Sequence, residues 1–224
     1  MTFEQFSKSL VSLFNKIGYD FAITGAMAAS YYGVPRTTSD VDFIVQVSIN
    51  DLDKFLDKLA HGGLIVDKTI IKSQLASGYN IISLQHERFP YQVDLIIQTE
   101  GRLERRPGTA LGLKSYYQPP EQLIMSKLRM IKATRPAERS FKDREDIKQI
   151  LANTRVNQRK ILKLAQQQST VEIAREILGE TSSLGESLHR RKTALLMNEN
   201  LRRKASKGSD STKVIRQWRD KRRS

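Results

Sequence analysis

The stretch ITGAMAASYYGVPRTTSDVDFIV, residues 23–45, decides how the rest of the chain is read. It begins inside a short apolar run, DFAIT at 20–24, which reads as a strand. Gly25 turns that strand into a helix over 26–32, and Gly33-Val34-Pro35 breaks the helix. DVDFIVQV, 40–47, is β-rich and alternates, as a second strand does. On it Asp40 and Asp42 stand two apart, so both carboxylates point to one face. Adjacent like charges on a buried sheet are costly unless a cation neutralises them. Oxygen-only ligands favour Mg²⁺ or Mn²⁺. A third acid, Asp94, lies inside the apolar run YQVDLIIQ at 91–98. If the two strands are neighbours, the three acids converge on one or two divalent ions, the arrangement used for in-line attack on phosphorus. The alternative makes Asp40 a strand-start cap and Asp94 an exposed edge residue. Two neighbouring features weigh against it. Gly25 opens a helix whose free N–H groups can bind phosphate. Arg36-Thr37-Thr38-Ser39 supplies a cation and three hydroxyls just before the acids.

Outward from this core, Phe3, Phe6, Leu10, Leu13, Phe14 and Ile17 recur at helical spacing until Gly18. A further helix is expected over 49–60, then strands over 64–71, 79–86 and 91–98. Residues 99–118 read as a loop carrying Arg102, Arg105 and Arg106. After Pro119-Pro120 the pattern turns helical, over 120–133, 140–153, 156–167, 169–178 and 183–206. Residues 207–210 read as a linker before a basic tail with Trp218. The expectation is an α+β chain: a mixed α/β domain over 1–118, a helical part over 119–206 that completes the cleft, and a tail over 207–224.

Charge follows the same division. Net charge is −3 over residues 1–100, +9 over 101–179 and +8 over 180–224, for +14 in all. A basic half attracts polyanions such as nucleic acid, though a solvated helical surface would look similar. The absence of cysteine excludes a disulfide scaffold, a zinc finger and a cysteine nucleophile. Three histidines make a His-rich metal cage improbable. No run approaches the ~20 apolar residues of a membrane span. The N-terminal residues, with Glu4 and no basic segment before an apolar core, do not read as a secretory signal, so a cytoplasmic location is expected.

The motif in 23–45 resembles the signature of the DNA-polymerase-β-like nucleotidyltransferases: a glycine and a small residue, about a dozen residues, then alternating apolar and Asp positions on a strand. It is most similar to the AbiEii-like branch, which includes toxin nucleotidyltransferases of toxin–antitoxin pairs. That branch reads G-G-x-A, then Y-G-x-x-R-x-T-x-D-hydrophobic-D; Gly25, Ala28, Tyr32, Gly33, Arg36, Thr38, Asp40 and Asp42 fit in register. The resemblance puts the third carboxylate on Asp94 and extends through PPEQLIMSKLRMIKATRPAERSFKDREDIKQIL, 119–151. It implies that Lys127 contacts the triphosphate and that Asp143 is a further active-site acid. It also implies nucleotide contacts from Gly25, Ala26, Arg36 and Thr38. Ala26 stands where the family usually has Gly or Ser, so it keeps the small size and the backbone N–H but lacks a hydroxyl. Read from the residues alone, Lys127 borders an apolar stripe and could be a snorkelling lysine. Asp143 and Asp146 could be surface partners of nearby basic residues, Asp146 more readily than Asp143.

The activity so implied is Mg²⁺-dependent transfer of a nucleoside monophosphate from an NTP to an acceptor. The basic half suits RNA, and the family resemblance suggests a tRNA 3′ end, with Arg102, Arg105 and Arg106 flanking the cleft. A cognate antitoxin would be a partner. The alternatives are nucleotidylation of a protein and a non-catalytic nucleic-acid-binding module.

Overall fold

The protein is described from a computed structural model covering residues 2–35, 37–136 and 140–179. α1 (Phe3–Ile17) starts at a capping box between Thr2 and Gln5 and stops at Gly18, whose φ of 79° suits glycine. β1 (Phe21–Ile23) leads into α2 (Gly25–Tyr31), and β2 (Asp40–Gln46) follows. A 3₁₀ turn, Ile49–Asp51, precedes α3 (Leu52–His61) and α4 (Lys68–Ala76). Then come β3 (Ile81–Gln85), β4 (Gln92–Gln98) and a hairpin of β5 (Arg106–Ala110) and β6 (Leu113–Tyr117). The helices α5 (Pro120–Ala133), α6 (Phe141–Asn153) and α7 (Gln158–Gln167) complete the named elements, with a further helical stretch over 171–179.

The strands form one six-stranded mixed sheet in the order β3-β4-β2-β1-β6-β5. β2 pairs antiparallel with β1 and parallel with β4. Its odd positions, Val41, Phe43 and Val45, join Val93, Leu95 and Ile97 of β4 in the core, none more than 2% exposed. Phe14 of α1 closes over this face, its ring 4.4 Å from Phe43 and 5.5 Å from Phe21. Phe55, Leu56 and Leu59 of α3 belong to the same cluster. So do Leu123, Ile124 and Leu128 of α5 and Ile147 and Ile150 of α6. The switch to helices at Pro119 therefore falls inside one compact unit, Met1–Ile177. α2 and α6 are tied directly: the Thr154 hydroxyl donates to Tyr32 O at 3.1 Å and Asn153 Nδ2 to Gly33 O at 3.2 Å.

Two expected elements differ. Residues 64–71 are not a strand. Leu64 makes only an isolated bridge to His86, and Asp67 then caps α4, accepting from Ile70 N at 3.0 Å. A side-chain cap that satisfies a helix N–H outweighs the strand-like composition of the apolar runs around it. Residues 106–117 are not a loop but the β5–β6 hairpin. Its two-residue turn, Leu111-Gly112, has φ of 52° and 79°, the positive values of a tight hairpin turn. Pro107 is tolerated because β5 is an edge strand, where a missing N–H interrupts no inner ladder. The helix expected over 183–206, the 207–210 linker and the Trp218 tail lie outside the described residues. Among those described, no helix is long and apolar enough to cross a membrane.

Candidate active site

The even positions of β2 and β4 face away from the core. Parallel register sets Asp42 beside Asp94 and Asp40 beside Gln92, and antiparallel β3 sets Ser83 opposite Asp94. One carboxylate oxygen from each of Asp40, Asp42 and Asp94 lies within 4.8 Å of the others. At that separation each pair of charges repels by roughly 3 kcal/mol at an effective dielectric of about 20. Hydrogen bonds hold Asp94 and Asp40 in spite of this. Asp94 Oδ1 accepts from Ser83 Oγ at 2.7 Å and Gln92 Nε2 at 2.8 Å. The Thr38 hydroxyl bonds the Asp40 carboxylate and its backbone oxygen. Asp42 presses on Gly25, where an added Cβ would come 1.9 Å from Asp42 Oδ2. Gly25 also has φ of +59°, so a close approach and a left-handed backbone both require glycine there. Three clustered carboxylates with oxygen-only donors fit a hard divalent cation.

The acids open into a cleft of about 540 Å³. Thr24, Gly25 and Ala26 form one wall, and Asn80, Ile81 and Ile96 another. α5 and α6 supply the helical wall: Leu123, Ser126, Lys127, Arg129, Met130 and Asp143. Lys127 does not snorkel to solvent; it is 6% exposed. Its ammonium is 3.1 Å from Asp143 Oδ1 and 2.5 Å from Asp146 Oδ2. Asp146 is the more buried of the two acids, at 4% exposure, and is no surface residue. Asp143 is half-buried at the cleft wall. A second polar chain braces the cleft. The Thr24 hydroxyl donates to Gln118 Oε1 at 2.5 Å, and Gln118 Nε2 donates to Ser126 Oγ at 3.2 Å. Arg129 Nη2 donates to the same Ser126 Oγ at 3.0 Å.

The structure thus gathers Gly25, Ala26, Asp40, Asp42, Asp94, Lys127 and Asp143 around one cleft, with Thr38 holding Asp40. Arg36 lies outside the described residues. Arg102, Arg105 and Arg106 do not line this cleft. Arg102 and Arg105 line a separate hollow with Asp20, Glu104 and Tyr116. Arg105 pairs with Asp20 at 2.6 Å and lies 4.0 Å over the Tyr116 ring. Gln46 pins the preceding loop, accepting from Leu103 N at 2.8 Å and donating to Gly101 O. Gln46 ends β2 six residues beyond Asp40, ~20 Å away at the usual strand rise. Arg106 opens β5 opposite Tyr117 and lies near Tyr32, whose hydroxyl burial pushes up to about 12 against the pull of that arginine. Sequence reasoning missed Ser126 and Arg129. The signal was present for Ser126: 123, 126, 127 and 130 share one face of α5 at spacings of three and four, while Arg129 flanks that face, three residues after Ser126.

No protein-family model matches the chain, and no curated protein matches its sequence. Solved structures do match in fold. The crystal structure of ANT(2'')-Ia in complex with adenylyl-2''-tobramycin superposes with a TM-score of 0.53 at 10% identity, covering 79% of this chain and 98% of that one. The solution structure of the antibiotic-resistance factor ANT(2'')-Ia gives 0.50 at 11% identity, covering 84% and 97%. An antigenic nucleotidyltransferase-like protein from Paracoccidioides brasiliensis gives 0.47 at 17%, covering 78% and 92%. The mixed sheet with flanking helices is a nucleotidyltransferase fold.

Proposed function

We propose that the protein is a nucleotidyltransferase that moves a nucleoside monophosphate from an NTP to a hydroxyl acceptor. The observation that carries this reading is the convergence of Asp40, Asp42 and Asp94 on one cleft beside Gly25. Asp40 and Asp42 would hold Mg²⁺ or Mn²⁺, with Asp94 completing the set. When bound, such ions neutralise the triphosphate and the charge that develops on the leaving pyrophosphate. Asp94, fixed by Ser83 and Gln92, would orient the acceptor hydroxyl and take its proton. The acceptor oxygen bonds to the α-phosphorus as the bond to the β-phosphate oxygen breaks. Gly25 leaves room for Asp42, and Ala26 offers the backbone N–H of a small residue. Lys127, held by Asp146, would fix Asp143 at the cleft wall.

RNA, with a tRNA 3′ end as the leading candidate, is the acceptor favoured by the +9 charge of residues 101–179. The AbiEii-like motif supports a role as the toxin of a toxin–antitoxin pair. A second reading, a small polyhydroxylated acceptor, is favoured by the arginine loop's position away from the cleft. The fold neighbour that holds an adenylylated tobramycin supports it as well. Incubation with α-³²P-labelled NTPs, Mg²⁺ and either total RNA, cell extract or an aminoglycoside separates these acceptors. Label on RNA supports the first reading and label on the aminoglycoside the second. Label on a protein identifies a protein acceptor. Label on nothing contradicts the proposal.

A further inference from the structure

Lys127 is the cation that the sequence motif singles out, yet its ammonium is committed. Two of its three donors face Asp143 and Asp146, and the trio carries a formal charge of −1. The helical wall therefore needs another positive group if it is to face an anion. Arg129 provides one. It lines the same cleft, is exposed, and makes no ion pair among the described residues. Among the described residues its one side-chain bond runs to a neutral hydroxyl, Ser126 Oγ.

That hydroxyl is itself informative. A serine oxygen has two acceptor positions and one donor. Gln118 Nε2 and Arg129 Nη2 occupy both acceptor positions. The remaining group is the O–H, which can only donate, on a residue at the cleft wall. Ser126 and Arg129 thus present donors side by side and no acceptor, the requirement for a phosphate oxygen. Their position is fixed through Gln118 to Thr24, the residue before Gly25 on the carboxylate side.

We infer that Arg129 and Ser126 grip the oligophosphate of the NTP, while Lys127 is a positioning residue locked to its two aspartates. This rests on the proposed nucleotidyl transfer for the identity of the ligand. The β- and γ-phosphates are the chosen occupant because the grip is braced to the wall that carries Gly25 and Asp42. A phosphate of an RNA acceptor has the same chemistry and forms the competing arm of the test.

The probe is inorganic tripolyphosphate with Mg²⁺, titrated calorimetrically into the full chain. Arg129→Gln, at an exposed position that leaves the core untouched, should weaken binding at least about tenfold, as expected for a lost charge-assisted bond. Ser126→Ala should weaken it a few-fold, and Arg129→Lys should recover part of the loss. In turnover, Arg129→Gln should raise KM for the NTP by a similar factor with little change in kcat. Unchanged tripolyphosphate binding in Arg129→Gln overturns the inference. So does a loss confined to RNA binding, which would assign the grip to the acceptor, and so does a wild-type chain that binds no tripolyphosphate. Arg129-dependent binding without any nucleotidyl transfer would sustain the grip and sink the proposed reaction. Transfer with a KM indifferent to Arg129 would do the reverse.

Discussion

The two faces of the β2–β4 pair are built from the same strands with opposite results. On one face, Val41, Phe43, Val45, Val93, Leu95 and Ile97 are almost fully buried beneath helical side chains such as Phe14. On the other, Asp40, Asp42 and Asp94 crowd together at a cleft wall. A shift of one residue in register would exchange the two sets. The core face anchors the register, and the register sets Asp42 beside Asp94. Stability and chemistry are thus coupled through geometry while resting on different residues. Each can be perturbed without the other.

Gly25→Ala should have the largest effect, because it strikes where the two requirements meet. The new Cβ collides with Asp42 Oδ2 and the φ of +59° becomes strained. The backbone alone should cost about 1–2 kcal/mol, and activity should fall by orders of magnitude as Asp42 is displaced; thermal melts and label transfer read the two. Phe43→Ala removes a fully buried ring from the core face. It should cost about 3–5 kcal/mol in denaturant unfolding, while the fraction that remains folded keeps its divalent-ion affinity. A loss of affinity in that fraction would show the faces to be less separable than their residues suggest. His86 tests the margin of the core. It packs edge-on against Phe89 and Phe6, with ring centroids at 4.8 and 6.1 Å, and burial holds its pKa below the usual histidine value. The unfolded chain therefore takes up the proton first as pH falls. Stability should be full above the ordinary histidine value of ~6.5 and decline as pH drops through it toward the depressed folded value. His86→Leu should lose that part of the pH dependence in melts recorded across this range.

Alternation made the site legible before the fold. Asp40 and Asp42 two apart, with Asp94 inside a second apolar run, is a pattern that period-two geometry reads directly. The register that makes them meet is a long-range property, and only the paired strands show it. α5 was readable from its apolar stripe, but the partners of Lys127 were not: i,i+3 spacing places Asp143 and Asp146 on one face without saying which is buried. The segment 64–71 misled because LIV and TII have strand composition while one cap, Asp67, decides for helix. The β5–β6 hairpin was hidden by Pro107 and Gly108, which are breakers in an inner strand and acceptable on an edge. The basic surplus was visible in the sequence; the position of Arg102 and Arg105 away from the carboxylates depends on what Gln46 and Asp20 hold.

Paired measurements on Asp42→Asn test the central claim most directly: Mn²⁺ affinity by calorimetry and thermal stability without metal, beside the wild type. If the three acids form a cation site held together against their own repulsion, the variant should lose most of its Mn²⁺ affinity. It should melt no lower than the wild type, since a like charge has been removed from the cluster. Wild-type Mn²⁺ affinity in the variant, or a lowered melting temperature with affinity intact, would contradict the account and return Asp42 to a structural role.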